Sequence, residues 1–167
     1  TVALVQVLRI TTPIALRAIE GQDAPGLTGI AFTLGGLASA AGVFLISARY
    51  FRLGHLRGAL AACILVTAAA YLLLAAAGSA PLYVLAFALI SLLHAATIPT
   101  INMLIAFNTL PARRGTAFGL ASSAQAFSFV LGPMTAALFV ATSMSAGFSA
   151  IALLCVALAA LAHWNLR

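Results

Sequence analysis

The chain has 167 residues, of which 64% are hydrophobic and 6% are charged, and its formal net charge is +6. This composition lies outside the range of water-soluble domains and predicts an integral membrane protein. The positive charge by itself would also fit a nucleic-acid-binding protein, but the placement of the arginines described below argues against that partner. The two cysteines show neither C-x-x-C nor Cys/His spacing, so we expect no metal site and no cofactor.

Long uncharged runs predict six membrane-spanning helices. Residues 58–112 and 115–166 contain no Asp, Glu, Lys or Arg, and each run is too long for one span because about 20 residues cross a bilayer core. The runs are broken near "GSAP" and "TSMSAG". Because backbone amides in lipid need internal partners, the spans should be helices of an all-α bundle. The predicted spans are residues 1–19, 27–46, 58–77, 81–108, 115–141 and 147–166.

The first and fourth spans carry polar side chains at membrane depth, where such groups are costly unless they face a partner or a water-filled cavity. We therefore predict that these spans line a binding site, with a contribution from the fifth span. The predicted substrate-binding residues are Gln6, Arg9, Thr12, His94, Asn102 and Gln125. Packing roles are the alternative: a histidine in an apolar helix is often a hydrogen-bonded core residue, amides can join helices, and an arginine can extend to the interface.

The second and fifth spans are rich in small residues, which allow helix backbones to approach closely. The predicted helix-packing residues are Gly29, Gly36, Gly115, Gly119, Gly132 and Pro133. The third and sixth spans are almost entirely Ala and Leu, and we expect them to face lipid. A polar span, a span rich in small residues and a plain span of Ala and Leu therefore follow one another twice along the chain. Such an order is typical of the inverted three-helix repeats of secondary transporters.

Arginines follow the second, fourth and sixth spans, whereas the only two acidic residues, Glu20 and Asp23, lie on the other side. By the positive-inside rule the arginine-rich side and the C-terminus are cytoplasmic. The arginines act there as topological anchors, with a gating salt bridge as a further possibility. The predicted cytoplasmic and gating residues are Arg52, Gly54, Arg57, Arg113 and Arg114.

Several segments resemble the C-terminal half of a major facilitator superfamily transporter, with bacterial multidrug efflux permeases as the nearest group. In that family the loop after the eighth helix resembles G-x-L-x-D-R-x-G-R-R, and "SARYFRLGHLR" keeps Arg52, Gly54 and Arg57 but has Phe51 in place of the aspartate. The eleventh helix of the family starts R-G-x-x-x-G and ends near a Gly-Pro pair. The corresponding residues here are Arg114, Gly115, Gly119, Ser122, Gln125, Gly132 and Pro133.

The resemblance implies one six-helix bundle of a twelve-helix protein in the bacterial inner membrane. Its expected partners are the lipid bilayer, a missing N-terminal six-helix half, a small-molecule substrate and, through ion coupling, protons. The start at Thr1 and the absence of a flanking loop agree with the expectation of a fragment. The implied activity is alternating-access transport, with drug or metabolite efflux coupled to an ion gradient.

Two alternatives stay open at the level of sequence. An intramembrane hydrolase could use Ser122 or Ser123 as a nucleophile and His94 as a base, although no carboxylate is placed to orient the histidine. A non-transporting membrane subunit would have the same six helices without a water-filled cleft. We expect a transporter and not an enzyme.

Overall fold

The computed structural model describes residues 2–21, 24–47 and 56–165, and this part of the chain forms six long helices without a β-strand. The helices are α1 Val2–Glu20, α2 Ala24–Ala41, α3 Leu56–Ala75, α4 Ala80–Asn108, α5 Arg114–Ala141 and α6 Met144–Asn165. A π-helical segment, Gly42–Ser47, continues α2, and a 3-10 turn, Pro111–Arg113, joins α4 to α5. The predicted all-α membrane fold is confirmed.

Five of these helices are long and apolar enough to cross a membrane, and α3 adds a shorter apolar segment at Ala61–Ala75. Most predicted limits lie within a few residues of the observed ones. The sixth helix is an instructive difference, because it begins at Met144 and not at Gly147. Gly147 is buried inside α6, and its backbone packs against the ring of Phe139 from α5. This glycine therefore serves helix contact and does not break the helix.

Helix packing repeats part of the two-fold pattern of the sequence. The most extensive contact joins α3 to α6, and the contacts of α2 with α4, of α3 with α4 and of α1 with α5 are also large. In a three-helix repeat, α1 corresponds to α4, α2 to α5 and α3 to α6. The α2–α4 contact then corresponds to the α5–α1 contact, and the α3–α6 contact corresponds to itself. The contact between α3 and α4 has no extensive counterpart between α6 and α1 among the described residues, so the order of neighbours repeats only in part. The outer sides of α3 and α6 are exposed, for example at Leu72 and Leu153.

Four threonines on α1 and α4 are buried in the centre of the bundle: Thr11, Thr12, Thr97 and Thr100. Each hydroxyl donates to the backbone carbonyl four residues earlier, at 2.7–2.9 Å. A threonine bonded in this way satisfies its own polar group without a partner helix or water. Part of the polarity that distinguishes these two spans therefore belongs to the core and not to a binding site.

Two fully buried tyrosines connect α3 and α4 to α1. The Tyr71 hydroxyl donates to the Leu4 carbonyl oxygen at 2.9 Å, and the Tyr83 hydroxyl oxygen lies 3.3 Å from Thr12 Oγ1. Both rings also lie near Phe148 of α6, with centroid distances of 6.3 and 6.4 Å. Tyr71 thus links α3 to the backbone of α1, while Phe148 ties α6 into the same cluster.

We expect Tyr71→Phe to destabilise the bundle by about 0.6–2 kcal/mol, the range for one interhelical hydrogen bond in a membrane protein. Tyr83→Phe is the matched comparison and should cost less, because its hydroxyl pairs at a longer distance with Thr12, whose own hydroxyl already bonds to Leu8. Thermal unfolding in detergent would rank the two variants. A larger loss for Tyr83→Phe would contradict this assignment of the stronger bond.

Candidate functional site

The two sides of α1 differ sharply in burial. Leu8, Leu16 and the two central threonines are fully buried against the bundle, whereas Arg9, Pro13 and Arg17 are exposed on the other side. These three residues are spaced by four, so they follow one another along one stripe of the helix. We call the set Arg9, Ile10, Pro13, Ile14 and Arg17 the α1 outer stripe. It places the guanidinium groups of two arginines on a surface that the other described residues leave open.

Arg9 lies seven residues after the start of α1 and eleven before Glu20, which ends the helix. At a rise of 1.5 Å per residue, it is about 16 Å from the helix end at Glu20. The flanking isoleucines, Ile10 and Ile14, are each 41% exposed. The guanidinium therefore lies well inside an apolar span and on its unpacked side.

The predicted site residues that bear a side-chain amide fall into two groups by their burial. Asn102 on α4 is exposed, as Arg9 is. Gln6 on α1 and Gln125 on α5 are half-buried, and the Cβ of Gln6 lies against Gly132 of α5. The structure thus leaves Arg9 and Asn102 open and places Gln6 at the contact between α1 and α5.

Thr12 is a correction to the predicted site. Its side chain is fully buried, its hydroxyl donates to the Leu8 carbonyl oxygen at 2.7 Å, and Tyr83 covers it from α4. A substrate in an open cleft cannot reach this group. Thr12 is therefore a core residue, because α4 packs over its part of the α1 surface and leaves the outer stripe uncovered.

His94 is half-buried and faces the interior of the bundle. It lines a cavity of about 10 Å³ together with residues from α1, α3 and α6. A cavity of this size holds at most about one water molecule. The other lining residues are Leu4, Val5, Ile64, Thr67, Tyr71, Thr97 and Cys155. The predicted direct contact between His94 and substrate does not fit this position.

We expect His94→Gln to reduce transport at most modestly, by a few-fold, because glutamine keeps a polar group in the small cavity and the open face of α1 is unchanged. The measurement is the initial transport rate at matched membrane expression, compared with Arg9→Ala. Complete loss of ion coupling with normal expression would show instead that the histidine carries the coupled proton.

The residues of the hydrolase alternative are not brought together. Ser122 and Ser123 are exposed on α5, and the Ser123 hydroxyl donates to the Gly119 carbonyl oxygen at 3.0 Å. The lining of the His94 cavity, taken over the described residues, comes from α1, α3, α4 and α6 and not from α5. No nucleophile–base pair is formed by these side chains.

Close helix approach occurs at Gly132, one of the predicted packing residues. A Cβ built at Gly132 would lie 2.6 Å from Gln6 Cβ and 3.4 Å from the Ala3 carbonyl oxygen. Its neighbour Pro133 is exposed. Two glycines outside the predicted set are equally close to α4: Gly35 meets the ring of Phe87, and Gly42 meets the Leu92 carbonyl.

Four predicted packing glycines, in contrast, have no neighbour among the described residues within 4 Å of the position that an added methyl group would occupy: Gly29, Gly36, Gly115 and Gly119. All four lie on exposed sides of α2 and α5. Their predicted role in helix packing has no partner among the described residues of this bundle and stays a prediction. Helical spacing of small residues shows that a face is smooth, but the position of the neighbouring helix decides whether that face is covered.

The basic residues of the predicted cytoplasmic side are only partly described. Arg113 and Arg114 are exposed at the turn between α4 and α5, and Arg114 Nε donates to the Thr109 carbonyl oxygen at 3.3 Å. Arg52 and Gly54 lie outside the described residues, as does the side chain of Arg57. The exposed position of the first two suits contact with lipid headgroups.

Comparison with known families decides the class of this protein. Residues 6–167 match the model of the Major Facilitator Superfamily. The chain belongs to this superfamily. Corresponding searches of curated proteins and of solved structures returned no match. Membership makes the chain an integral, multi-pass membrane protein of a superfamily that transports small molecules and whose members are generally not enzymes. The resemblance at the superfamily level is thereby confirmed.

Proposed function

We propose that this bundle is one half of a transporter that moves a small molecule by alternating access, with α1 forming part of the wall of the central cleft. Two bundles would rock about the site between them. The observation that carries the proposal is the position of Arg9, a permanent charge in the middle of an apolar helix and on its exposed side. Facing lipid there would cost about 2.5–3.5 kcal/mol even on insertion scales. A water-filled cleft or a charged partner removes that cost.

The exposure of α5 supports a second bundle as the partner. Only 11% of the apolar window of this helix is buried, compared with 39% for α1. Its exposed residues include both bulky apolar side chains, such as Phe127 and Leu138, and the small residues Gly119 and Ser122. A second six-helix bundle would cover part of this surface, and lipid would cover the rest.

Accessibility of introduced cysteines to a membrane-impermeant thiol reagent tests the cleft. Ile10→Cys lies on the α1 outer stripe, and Leu65→Cys lies on the outer side of α3; each is ten residues before the end of its helix, and the native residues are 41% and 48% exposed. The two positions are therefore matched in the exposed fraction of the native side chain. The cleft predicts labelling at position 10 and none at position 65. Equal protection of both positions would favour a non-transporting subunit.

The motif in the loop after the second span and the motif of α5 favour export of a drug or metabolite, driven by an ion gradient. The only two acidic residues of the chain are Glu20 and Asp23, and neither lies in the middle of a span. Proton coupling would then depend on an acid in the other bundle. Dissipating the proton gradient in membrane vesicles should abolish accumulation if protons are the coupling ion.

We expect the turn that holds Arg113 and Arg114 to be cytoplasmic, because basic loops are retained inside. A reporter fused after Arg114 should behave as internal, and one fused at Ala24 should behave as external. Fusions after Arg57 should agree with the first. The reverse pattern would overturn the proposed bacterial inner-membrane topology with a cytoplasmic C-terminus.

A further inference from the structure

We propose that the substrate carries an anionic group, which is received by Arg17 in an open cleft between α1 and α2 and passed along the α1 outer stripe to Arg9. This inference rests on the proposed transport function and names the chemical class of its substrate. The cleft has a volume of about 820 Å³ and is lined by Pro13, Arg17, Gly21, Ala24, Pro25 and Thr28. It is large enough for a drug-sized molecule.

Arg17 supplies the only charged side chain among the residues that line this cleft in the described part of the chain. Pro13 lies one helical turn below Arg17 in the same lining, and Arg9 lies one further turn below Pro13. The two arginines are eight residues apart, which corresponds to about 12 Å along the helix axis. Pro13 therefore connects the open cleft with the deeper arginine, and the stripe offers two successive positions for one anion.

The chemistry of the two side chains favours a carboxylate or a phosphate. A guanidinium is charged at every physiological pH and presents a planar set of donors that fits the paired oxygens of these groups. Glu20 is exposed at the end of the same helix but does not line the cleft. Asp23 lies outside the described residues. A cationic substrate would meet repulsion at both arginines.

Charged thiol reagents measure the potential in the cleft directly. The complete transporter with Thr28→Cys is placed in phosphatidylcholine nanodiscs and treated with the anionic sulfonatoethyl or the cationic trimethylammonioethyl methanethiosulfonate. Mass spectrometry measures the extent of labelling at position 28 separately from labelling of the native cysteines. We expect Arg17→Gln to lower the ratio of anionic to cationic reaction rates on the order of fivefold. Arg114→Gln, on the other side of the membrane, is the matched control and should leave the ratio unchanged.

Competition with benzoate and its neutral analogue benzamide tests recognition of the anion. Benzoate should slow labelling of position 28, benzamide should not, and the protection should be lost in Arg17→Gln and weakened in Arg9→Gln. An unchanged reagent ratio in Arg17→Gln, or equal protection by the two compounds, would overturn the proposal.

A lipid phosphate is the other source of an anion for this cleft. If phosphatidylglycerol added to the nanodiscs slows labelling while benzoate in phosphatidylcholine has no effect, the site binds a headgroup and the substrate proposal is wrong. Labelling of Ile10→Cys separates this failure from failure of the proposed function. A labelled position 10 with no charge selectivity at position 28 leaves the transporter cleft intact and removes only the anionic substrate.

Discussion

Gly132→Ala is expected to destabilise the protein by about 1–3 kcal/mol, the usual range for overpacking a tight contact. The new methyl group would lie 2.6 Å from Gln6 Cβ. Because that atom is attached directly to the backbone of α1, a rotamer change cannot relieve the clash, and one helix must move. Helix α5 is held to the bundle mainly through α1, so the displacement should also lower transport.

Gly119→Ala is the matched control on the same helix, since no atom of the described residues lies within 4 Å of the position of its added methyl group. It should be neutral or stabilising by up to about 1 kcal/mol, because alanine restricts the unfolded chain more than glycine does. Thermal unfolding of both variants in the same detergent gives the comparison, with a shift of about 2–4 °C per kcal/mol for a protein of this size. Equal stability of the two variants would show that α5 does not pack closely on α1 at Gly132.

Arg9→Ala is expected to reduce transport by on the order of 10- to 100-fold, because one charge-assisted hydrogen bond contributes about 1.5–3 kcal/mol. Arg9→Lys keeps the positive charge but loses the paired donors of the guanidinium. Transport should therefore fall in the order wild type, Arg9→Lys, Arg9→Ala. The order follows from an exposed Arg9 on the α1 outer stripe that contacts either the substrate or a carboxylate of the second bundle.

Initial rates in membrane vesicles that contain the complete transporter provide the measurement. The panel includes the anion carboxyfluorescein and the cation ethidium, and rates are normalised to the amount of protein in the membrane. Leu65→Ala on the outer side of α3 is an exposed control and should transport normally. Equal rates for all three residues at position 9 would remove Arg9 from the site, and a lysine variant equal to wild type would indicate an arginine that only reaches the interface.

The sequence was sufficient to predict the helices, because uncharged runs and the breakers between them define spans without knowledge of their neighbours. It also predicted that the order of helix types repeats, and the paired contacts of α2 with α4 and α5 with α1 follow that order. The assignment to the superfamily was predicted from Arg114, Gly115 and the motif that follows, and the family match over residues 6–167 confirmed it. These features depend on composition along the chain, which the sequence states directly.

Which side of each helix is covered was decided only by the tertiary structure. Thr12 and Arg9 are three residues apart on α1, yet Thr12 is fully buried and Arg9 is exposed. Gly132 contacts α1, whereas Gly119 on the same helix has no neighbour within 4 Å in the described part of the chain. In a soluble protein the polar side of a helix marks the solvent, but lipid is as apolar as the interior of a bundle. The two sides of a membrane helix therefore look alike in sequence, and only packing against a neighbour distinguishes them.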